Sequence, residues 1–119
     1  MRILLIDDEF LVLDVIAQSL RAEGHTVVVA GDGDEGLERF QKDSFDCVIT
    51  DQSMPHLTGD EVAQAVKKSN PKMPVILLTG FGDMLDDKSD RPAGVDMIVN
   101  KLVTADELRH AIDRVMGKV

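Results

Sequence analysis

The chain has 119 residues, 44% of them hydrophobic, which is enough for one globular domain with a buried core and too little for two. Acidic residues number 22 against 13 basic ones, and the net charge of −9 would repel a nucleic-acid backbone, so no direct nucleic-acid binding is expected. No apolar run approaches the ~20 residues of a membrane helix, and Asp7 interrupts the N-terminus where a signal peptide stays apolar. We therefore expect a soluble, cytoplasmic protein without membrane contacts.

Short apolar runs alternate with longer amphipathic ones along the chain. This alternation predicts an α/β fold, in which helices cover both faces of a doubly wound, five-stranded parallel sheet. The strands are predicted at Ile3 to Ile6, Val27 to Ala30, Cys47 to Thr50, Val75 to Leu78 and Met97 to Val99. Because such strands are buried on both faces, Cys47 is expected to be a small buried hydrophobic residue without a redox role.

The first helix is predicted from about Glu9 to Glu23, with Gly24 in the left-handed position past its end. Its buried face is expected to carry Val12, Val15, Ile16 and Leu20.

Three more helices are predicted from apolar positions at helical spacing after strands two, three and five. These positions are Leu37 and Phe40, then Val62, Ala63 and Val66, and finally Leu108, Ile112 and Val115. The third helix is expected after Gly59 and to stop at Asn70-Pro71. The last helix is expected to begin with a capping box that joins Thr104 to Glu107.

Two Gly- and Asp-rich segments interrupt this pattern. The segment from Gly82 to Pro92 has few apolar anchors, so only a short or mobile helix is expected there. The segment Gly31 to Gly36 spells G-x-G-x-x-G after a strand, which is also the pattern of a dinucleotide site. Its three acidic residues would lie beside a bound pyrophosphate, so we interpret it as a flexible turn.

Polar residues follow four of the strands. Asp7-Asp8 follows the first, Asp51 the third, Thr79 the fourth and Lys101 the fifth. In an open parallel sheet, ligands bind beyond the carboxyl ends of the strands, where the strand order reverses. With a flavodoxin-like order 2-1-3-4-5, the strands that carry these residues are consecutive neighbours ~5 Å apart. Their terminal residues should therefore converge.

The converging side chains suit magnesium-dependent phosphoryl transfer. Three carboxylates at one edge repel one another unless a cation lies between them, and oxygen donors without His or Cys favour Mg²⁺. Thr79 and Lys101 add a hydroxyl and a positive charge, which can hold the oxygens of a transferring phosphoryl group. Asp51 ends the central strand between these two sides, and its carboxylate can form an acyl phosphate, so it is the candidate nucleophile.

With these residues, the sequence resembles the receiver-domain family of response regulators, to which the bacterial chemotaxis regulator belongs. The resemblance spans essentially the whole chain, residues 1–119, which we expect to form one receiver domain without an output domain. The residues that carry it are Asp7-Asp8, the run from Asp51 to Gly59, Leu78-Thr79-Gly80 and Lys101.

The resemblance implies a two-component signalling switch rather than an enzyme with turnover. Asp51 would accept a phosphoryl group from a histidine kinase or a phosphotransfer protein and lose it slowly, and a downstream effector protein or domain would read the phosphorylated state. Thr79 and Lys101 would contact the phosphoryl oxygens. The Mg²⁺ ligands would be Asp8, Asp51 and the main-chain carbonyl of Ser53, with Asp7 acting through water.

Two positions depart from the family pattern. Leu102 stands where the family usually has a proline in a cis peptide bond, so the bond is either trans with a shifted loop or cis under strain. Ile98 stands where much of the family has an aromatic ring that reports movement of the hydroxyl residue. We therefore expect phosphorylation to pull Thr79 inward and to be read through backbone shifts between Gly80 and Arg91.

Two other classes of protein fit part of the pattern. Phosphatases of the haloacid-dehalogenase type also combine an aspartate nucleophile with Thr, Lys and Mg²⁺. These phosphatases place the aspartate nucleophile after the first strand and a second aspartate two residues later. At the two corresponding positions this chain has Asp7 and Glu9. A pseudo-receiver would only bind partners and would not need the complete set of acidic, hydroxyl and amine groups. Any one of the site residues could have an ordinary role, such as a helix cap at Asp7 or Asp8, but their conjunction at four strand ends favours the receiver.

Overall fold

The computed structural model describes residues 1–80, 92–101 and 103–117. In these ranges the chain forms five strands and four helices. They are β1 (Arg2–Ile6), α1 (Phe10–Ala22), β2 (Thr26–Ala30), α2 (Gly33–Lys42), β3 (Cys47–Asp51), α3 (Gly59–Ser69), β4 (Val75–Thr79), β5 (Met97–Asn100) and α4 (Ala105–Val115). Every predicted strand is present and is one residue longer than predicted. The short helix predicted between Gly82 and Pro92 lies outside the described residues.

The five strands form one parallel sheet in the order β2-β1-β3-β4-β5. This confirms the predicted flavodoxin-like α/β fold. The central strands β3 and β4 are buried along their whole length, because helices cover both faces of the sheet. Cys47, at the start of β3, is buried and unpaired by any disulfide, as expected. None of the described helices has the length and the apolar character needed to cross a bilayer.

Side chains that alternate along the strands build two hydrophobic cores, one on each face of the sheet. On one face, Ile3 and Leu5 of β1 pack with α1 and α4. On the other face, Leu4 and Ile6 pack with α2 and α3. The four described helices are thus divided in pairs between the two faces of the sheet.

The buried face of α1 differs from the prediction. Val15 is 67% exposed and Val12 is only half-buried. The residues that α1 buries are Leu13, Ile16, Ala17 and Leu20. These four follow the i, i+3, i+4, i+7 spacing of a single stripe, and the two valines lie on its flank. Hydrophobicity alone could not distinguish the stripe from its flank, because α1 carries more apolar side chains than it buries. Beyond the helix, Gly24 has a φ of +95°, as predicted for the left-handed position.

The interpretation of Gly31 to Gly36 as a flexible turn is wrong, because α2 begins inside it at Gly33. The carboxylate of Asp32 accepts a hydrogen bond from the amide of Glu35 at 2.8 Å, and the carboxylate of Glu35 accepts one from the amide of Gly31 at 2.6 Å. At Gly36 an added Cβ would come within 2.3 Å of Cδ1 of Ile6, so this glycine allows α2 to pack closely on β1. The motif is therefore a helix start.

The predictions for the remaining helices are confirmed. Helix α3 begins at Gly59, buries Val62, Ala63 and Val66, and is capped at Asn70. At the start of α4, the hydroxyl of Thr104 accepts from the amide of Glu107 at 3.1 Å, and Oε1 of Glu107 accepts from the amide of Thr104 at 3.3 Å, so the predicted capping box is complete. This helix buries Leu108, Ala111 and Ile112, and Val115 is partly buried.

Candidate functional site

Polar residues at the carboxyl ends of β1, β3 and β5 meet at one edge of the sheet. Lys101 follows β5, and its Nζ lies 3.3 Å from Oδ2 of Asp7 and 3.2 Å from Oδ1 of Asp51. Both carboxylates are buried, with 0% and 2% of their side chains exposed. The predicted convergence is thus present, and a single ammonium bridges the ends of two strands.

Lys101 is held through both its backbone and its side chain. The backbone amide of Lys101 donates to the carbonyl oxygen of Thr79 at 2.6 Å, which ties the residue to the end of β4. Burial by itself lowers the pKa of Lys101. The hydrogen bond to Glu9 and the charges of Asp7 and Asp51 outweigh it, so that the pKa is raised above its ordinary value. Lys101 is therefore a permanent positive charge at this edge.

The carboxyl group of Asp51 has an unusual proton affinity. Its pKa is raised from 3.8 to about 7, first because burial disfavours the charged form and then because the charge of Asp7 lies nearby. Lys101 opposes the rise. The pKa of Asp7 is also raised by burial, against the hydrogen bond from Glu9 and the charge of Lys101. Among the described residues, the ammonium of Lys101 does not offset the negative charge of these carboxylates, so a further cation would relieve the remaining repulsion.

The oxygens of the site fit a hard divalent cation. One carboxylate oxygen from each of four residues lies within 4.8 Å of the others, and these residues are Asp7, Asp8, Glu9 and Asp51. Oδ2 of Asp51 is buried and has no hydrogen-bond partner in the part of the chain that the structure describes. A buried, partnerless carboxylate oxygen is costly unless a cation or proton meets it. The set contains only oxygen donors, which is the preference of Mg²⁺ or Ca²⁺.

The predicted metal ligands occupy different environments. Asp8 is exposed, whereas Asp7 is buried and its Oδ1 accepts from the amide of Glu9 at 2.9 Å. The N-cap residue of α1 is Glu9, and no side-chain cap hydrogen bond is present at this described helix start, so neither Asp7 nor Asp8 has the capping role that was the ordinary alternative. Ser53 is exposed and lies two residues beyond Asp51, in the loop before α3.

The hydroxyl of Thr79 lies at the same edge and has a partner there. Thr79 is the last residue of β4, is 2% exposed, and donates from Oγ1 to Oδ1 of Asn100 at 3.2 Å. Asn100 is its register partner on β5. A phosphoryl oxygen that takes this hydroxyl would have to replace the side chain of Asn100.

The loop after Asp51 is held by contacts that sequence reasoning missed. Oε1 of Gln52 accepts from the amide of Asp60 at 2.9 Å, and its Nε2 donates to Oδ1 of Asp60 at 3.0 Å. The amide of Gly59 donates to the carbonyl oxygen of Gln52 at 2.9 Å. An added Cβ on Gly59 would come within 2.3 Å of the carbonyl oxygen of Asp51. The start of α3 therefore braces the backbone of the candidate nucleophile.

Sequence reasoning also missed Glu9. The sequence pattern places Glu9 at the start of the first helix and predicts no contact with Lys101, but its Oε1 lies 2.5 Å from Nζ of Lys101. The available signal was its place directly after the Asp7-Asp8 pair, in an unbroken run of three acidic residues.

An apolar groove borders the site. It has a volume of about 500 Å³, and its walls are formed by α1 and by the segment around Lys101. The residues that line it are Glu9, Leu11, Val12, Val15, Ile16, Lys101 and Val103. Leu11 is 83% exposed, so a large apolar side chain lies open to solvent beside a charged site. Such a patch is a typical contact surface for another protein.

The fold and the edge site define an open, doubly wound α/β protein with an acidic, lysine-containing pocket. A match to the family described as "Response regulator receiver domain" covers residues 3–113. The chain is 36% identical over 111 residues to the transcriptional regulatory protein GlrR of Escherichia coli. The matched region covers 93% of this chain and 25% of that protein. The chain belongs to the response regulator receiver domain family of two-component signalling, whose members are signalling switches.

Solved structures agree in fold. A response regulator receiver domain protein from Clostridium thermocellum is 38% identical, with a TM-score of 0.89 and coverage of 98% of this chain and 94% of that one. The response regulator TrrA from Thermotoga maritima, solved in complex with Mg²⁺-BeF, is 32% identical, with a TM-score of 0.85 and coverage of 96% and 97%. The chain spans between 25% and 50% of the length of the curated relatives that it matches.

The two departures from the family pattern have different outcomes. Ile98 lies on β5, is half-buried and packs against the core on the α2 and α3 face. Leu102 lies outside the described residues, and so does most of the segment between Gly80 and Arg91 through which the readout was predicted.

Proposed function

We propose that residues 1–119 form a phosphoacceptor receiver of a two-component phosphorelay, in which Asp51 accepts a phosphoryl group and the phosphorylated state switches the binding of an effector. The donor would be the phosphohistidine of a histidine kinase or a phosphotransfer protein. The observation that carries the proposal is the bridge from Lys101 to buried Asp51, at an edge where four carboxylates gather. This arrangement combines an acceptor, a fixed cation and a place for a second cation.

We take Oδ2 of Asp51, which has no hydrogen-bond partner among the described residues, as the attacking atom. It would form a bond to phosphorus while the bond from phosphorus to the donor's imidazole nitrogen breaks, and the electron pair of that bond returns to the nitrogen. Lys101 and Thr79 would hold the phosphoryl oxygens, the latter by giving up its hydrogen bond to Asn100.

The residues that would hold Mg²⁺ are Asp8, Asp51 and the main-chain carbonyl of Ser53, with Asp7 acting through water. When bound, the ion supplies positive charge that offsets the carboxylates and the transferring group. Because burial and then the nearby charge of Asp7 raise the pKa of Asp51 to about 7, the charge of the ion would also keep this carboxylate ionised and nucleophilic at neutral pH.

The apolar groove gives the donor a surface to contact. A protein that delivers a phosphoryl group must bring its histidine to bonding distance of Asp51, so it must cover the surface around the site. The groove includes Lys101 and exposed Leu11 and Val15, and therefore reaches from the site onto α1. The reaction belongs in the cytoplasm, where ATP supplies the phosphoryl groups of kinases.

The two alternative classes have less support. In the register of a haloacid-dehalogenase-type phosphatase, the reacting pair would be Asp7 and Glu9, where that class has a second aspartate, and Asp51 would have no role. A pseudo-receiver would not need an acidic pocket in which a buried oxygen of Asp51 has no hydrogen-bond partner among the described residues.

Incubation with acetyl phosphate, with and without Mg²⁺, tests the proposal when intact mass is measured. We expect the wild type to gain the mass of one phosphoryl group, and Asp51→Asn or chelated wild type to gain none. Asp14→Asn, which removes an exposed carboxylate on α1, is the matched control and should be labelled normally. Labelling of Asp51→Asn at the wild-type level would refute the proposal, and repeated release of phosphate from many donor molecules per chain would favour a hydrolase.

A further inference from the structure

Glu9 forms the closest of three ion pairs around Lys101. Its Oε1 lies 2.5 Å from Nζ, against 3.3 Å for Asp7 and 3.2 Å for Asp51. A lysine ammonium has three N–H donors, and here three carboxylate oxygens surround it. A phosphoryl oxygen that takes one donor must therefore displace or share one of these partners.

We propose that Glu9 is a positioning residue that restrains Lys101 before phosphorylation and competes with the phosphoryl group for its ammonium. The inference rests on the proposed function, because it assumes that Lys101 contacts a phosphoryl oxygen. Glu9 is not among the phosphoryl or metal contacts that the family resemblance implies.

Burial identifies Glu9 as the partner that yields. The side chains of Asp7 and Asp51 are 0% and 2% exposed, so neither can lose the ammonium without becoming a buried charge with one partner fewer. The side chain of Glu9 is 59% exposed and can turn into water at little cost. The strength of its hold on Lys101 therefore adjusts how readily the site accepts an anion.

The charge of Glu9 acts oppositely on the two ligands of the site. Its carboxylate belongs to the group of acidic oxygens within 4.8 Å of one another, so it attracts a divalent cation. The same negative charge repels a phosphoryl group and engages the ammonium that the group needs. Removal of the charge should weaken cation binding and strengthen anion binding, whereas general damage to the site would weaken both.

Binding of Mg²⁺ alone, and of beryllofluoride at saturating Mg²⁺, tests the inference in the wild type, Glu9→Gln and Glu9→Asp. Because the chain has neither Trp nor Tyr, calorimetry and fluorine NMR are suitable measurements. We expect Glu9→Gln to bind Mg²⁺ more weakly and beryllofluoride about two- to five-fold more tightly, the range expected for one exposed ion pair. Glu9→Asp keeps the negative charge but has a side chain one methylene shorter. Its affinity for beryllofluoride should therefore lie between those of the wild type and Glu9→Gln.

The matched control is Asp14→Asn, since Asp14 is an exposed acid of α1 whose partner is Gln18. Both of its affinities should equal those of the wild type. Unchanged or weaker beryllofluoride binding in Glu9→Gln would overturn the inference, as would a Glu9→Asp affinity equal to that of the wild type. In either case binding by the wild type would leave the proposed function standing. Failure of the wild type to bind beryllofluoride would refute the proposed function, and this inference with it.

Discussion

The ammonium of Lys101 lies 3.2 Å from the carboxylate of Asp51, although β4 separates the strands β5 and β3 that lead to them. The lysine side chain thus reaches past the end of one intervening strand. Asp51 has little contact with water, so this single positive charge has a large effect on its ionisation and on any anion attached to it.

Replacement of Lys101 by Met should leave the fold intact and impair the chemistry. Without the ammonium, the pKa of Asp51 should rise further, and a phosphoryl group on it would lose a charged donor. We expect acetyl phosphate to label the variant at least about ten-fold more slowly than the wild type at pH 7, as measured by intact mass. Lys68→Met removes an exposed lysine from α3 and is the control. Equal labelling rates for both variants would contradict the role of Lys101.

The stability of the metal-free protein should depend on pH through Asp51. Its folded-state pKa of about 7 exceeds the ordinary value of 3.8, so between these pH values the folded protein binds more protons than the unfolded chain. The free energy of unfolding should therefore fall as pH rises from about 4 to about 7. Urea denaturation in the presence of a chelator measures this fall.

The variant Asp51→Asn removes the ionising carboxyl group, so it tests the pH dependence of the free energy of unfolding. At pH 8 without metal, we expect the variant to be more stable than the wild type by roughly 1 to 3 kcal/mol, with less dependence on pH. Added Mg²⁺ should stabilise the wild type more than the variant. Parallel stability curves for the two proteins across this range would show that Asp51 is not the group responsible.

Gly59→Ala should destabilise the protein and distort the acceptor. The new Cβ would come within 2.3 Å of the carbonyl oxygen of Asp51 and 2.6 Å of Cδ1 of Leu77, so backbone as well as side chain must move. We expect a loss of about 1 to 3 kcal/mol in the free energy of unfolding, together with slower labelling by acetyl phosphate. Gly31→Ala is the control, because its Cβ would meet only Oε1 of Glu35 at 3.6 Å. A similarly small effect in both variants would contradict the close packing at Gly59.

The apolar groove should affect phosphoryl transfer from a protein donor and not from a small-molecule donor such as acetyl phosphate. A double replacement, Leu11→Ala with Val15→Ala, removes two exposed apolar side chains from the groove and keeps good helix formers on α1. Transfer from a phosphorylated phosphotransfer protein should slow about ten-fold, a loss typical of central contacts in an interface, while labelling by acetyl phosphate stays unchanged. Phe10→Ala, at a residue that is 81% exposed and does not line the groove, is the control. Equal slowing by this control would place the docking surface elsewhere.

The amino-acid sequence by itself determined which segments are strands and which strand ends carry polar groups. Val75 to Leu78, for example, is an apolar run that only a doubly covered strand can bury, and Thr79 directly follows it. Parallel strands that alternate with helices share one carboxyl edge, so Asp51, Thr79 and Lys101 could be assigned to the same edge before any coordinates were known. These features depend on local pattern and on chain direction.

Tertiary structure decided which side chains meet. Glu9 and Lys101 are 92 positions apart, and their contact depends on the strand order and on the reach of a lysine across β4. The placement of α1 on the sheet likewise decided that Leu13 is buried and Val15 exposed, although both are apolar. Such contacts arise from packing between distant segments, and no local pattern in the sequence encodes the distance between them.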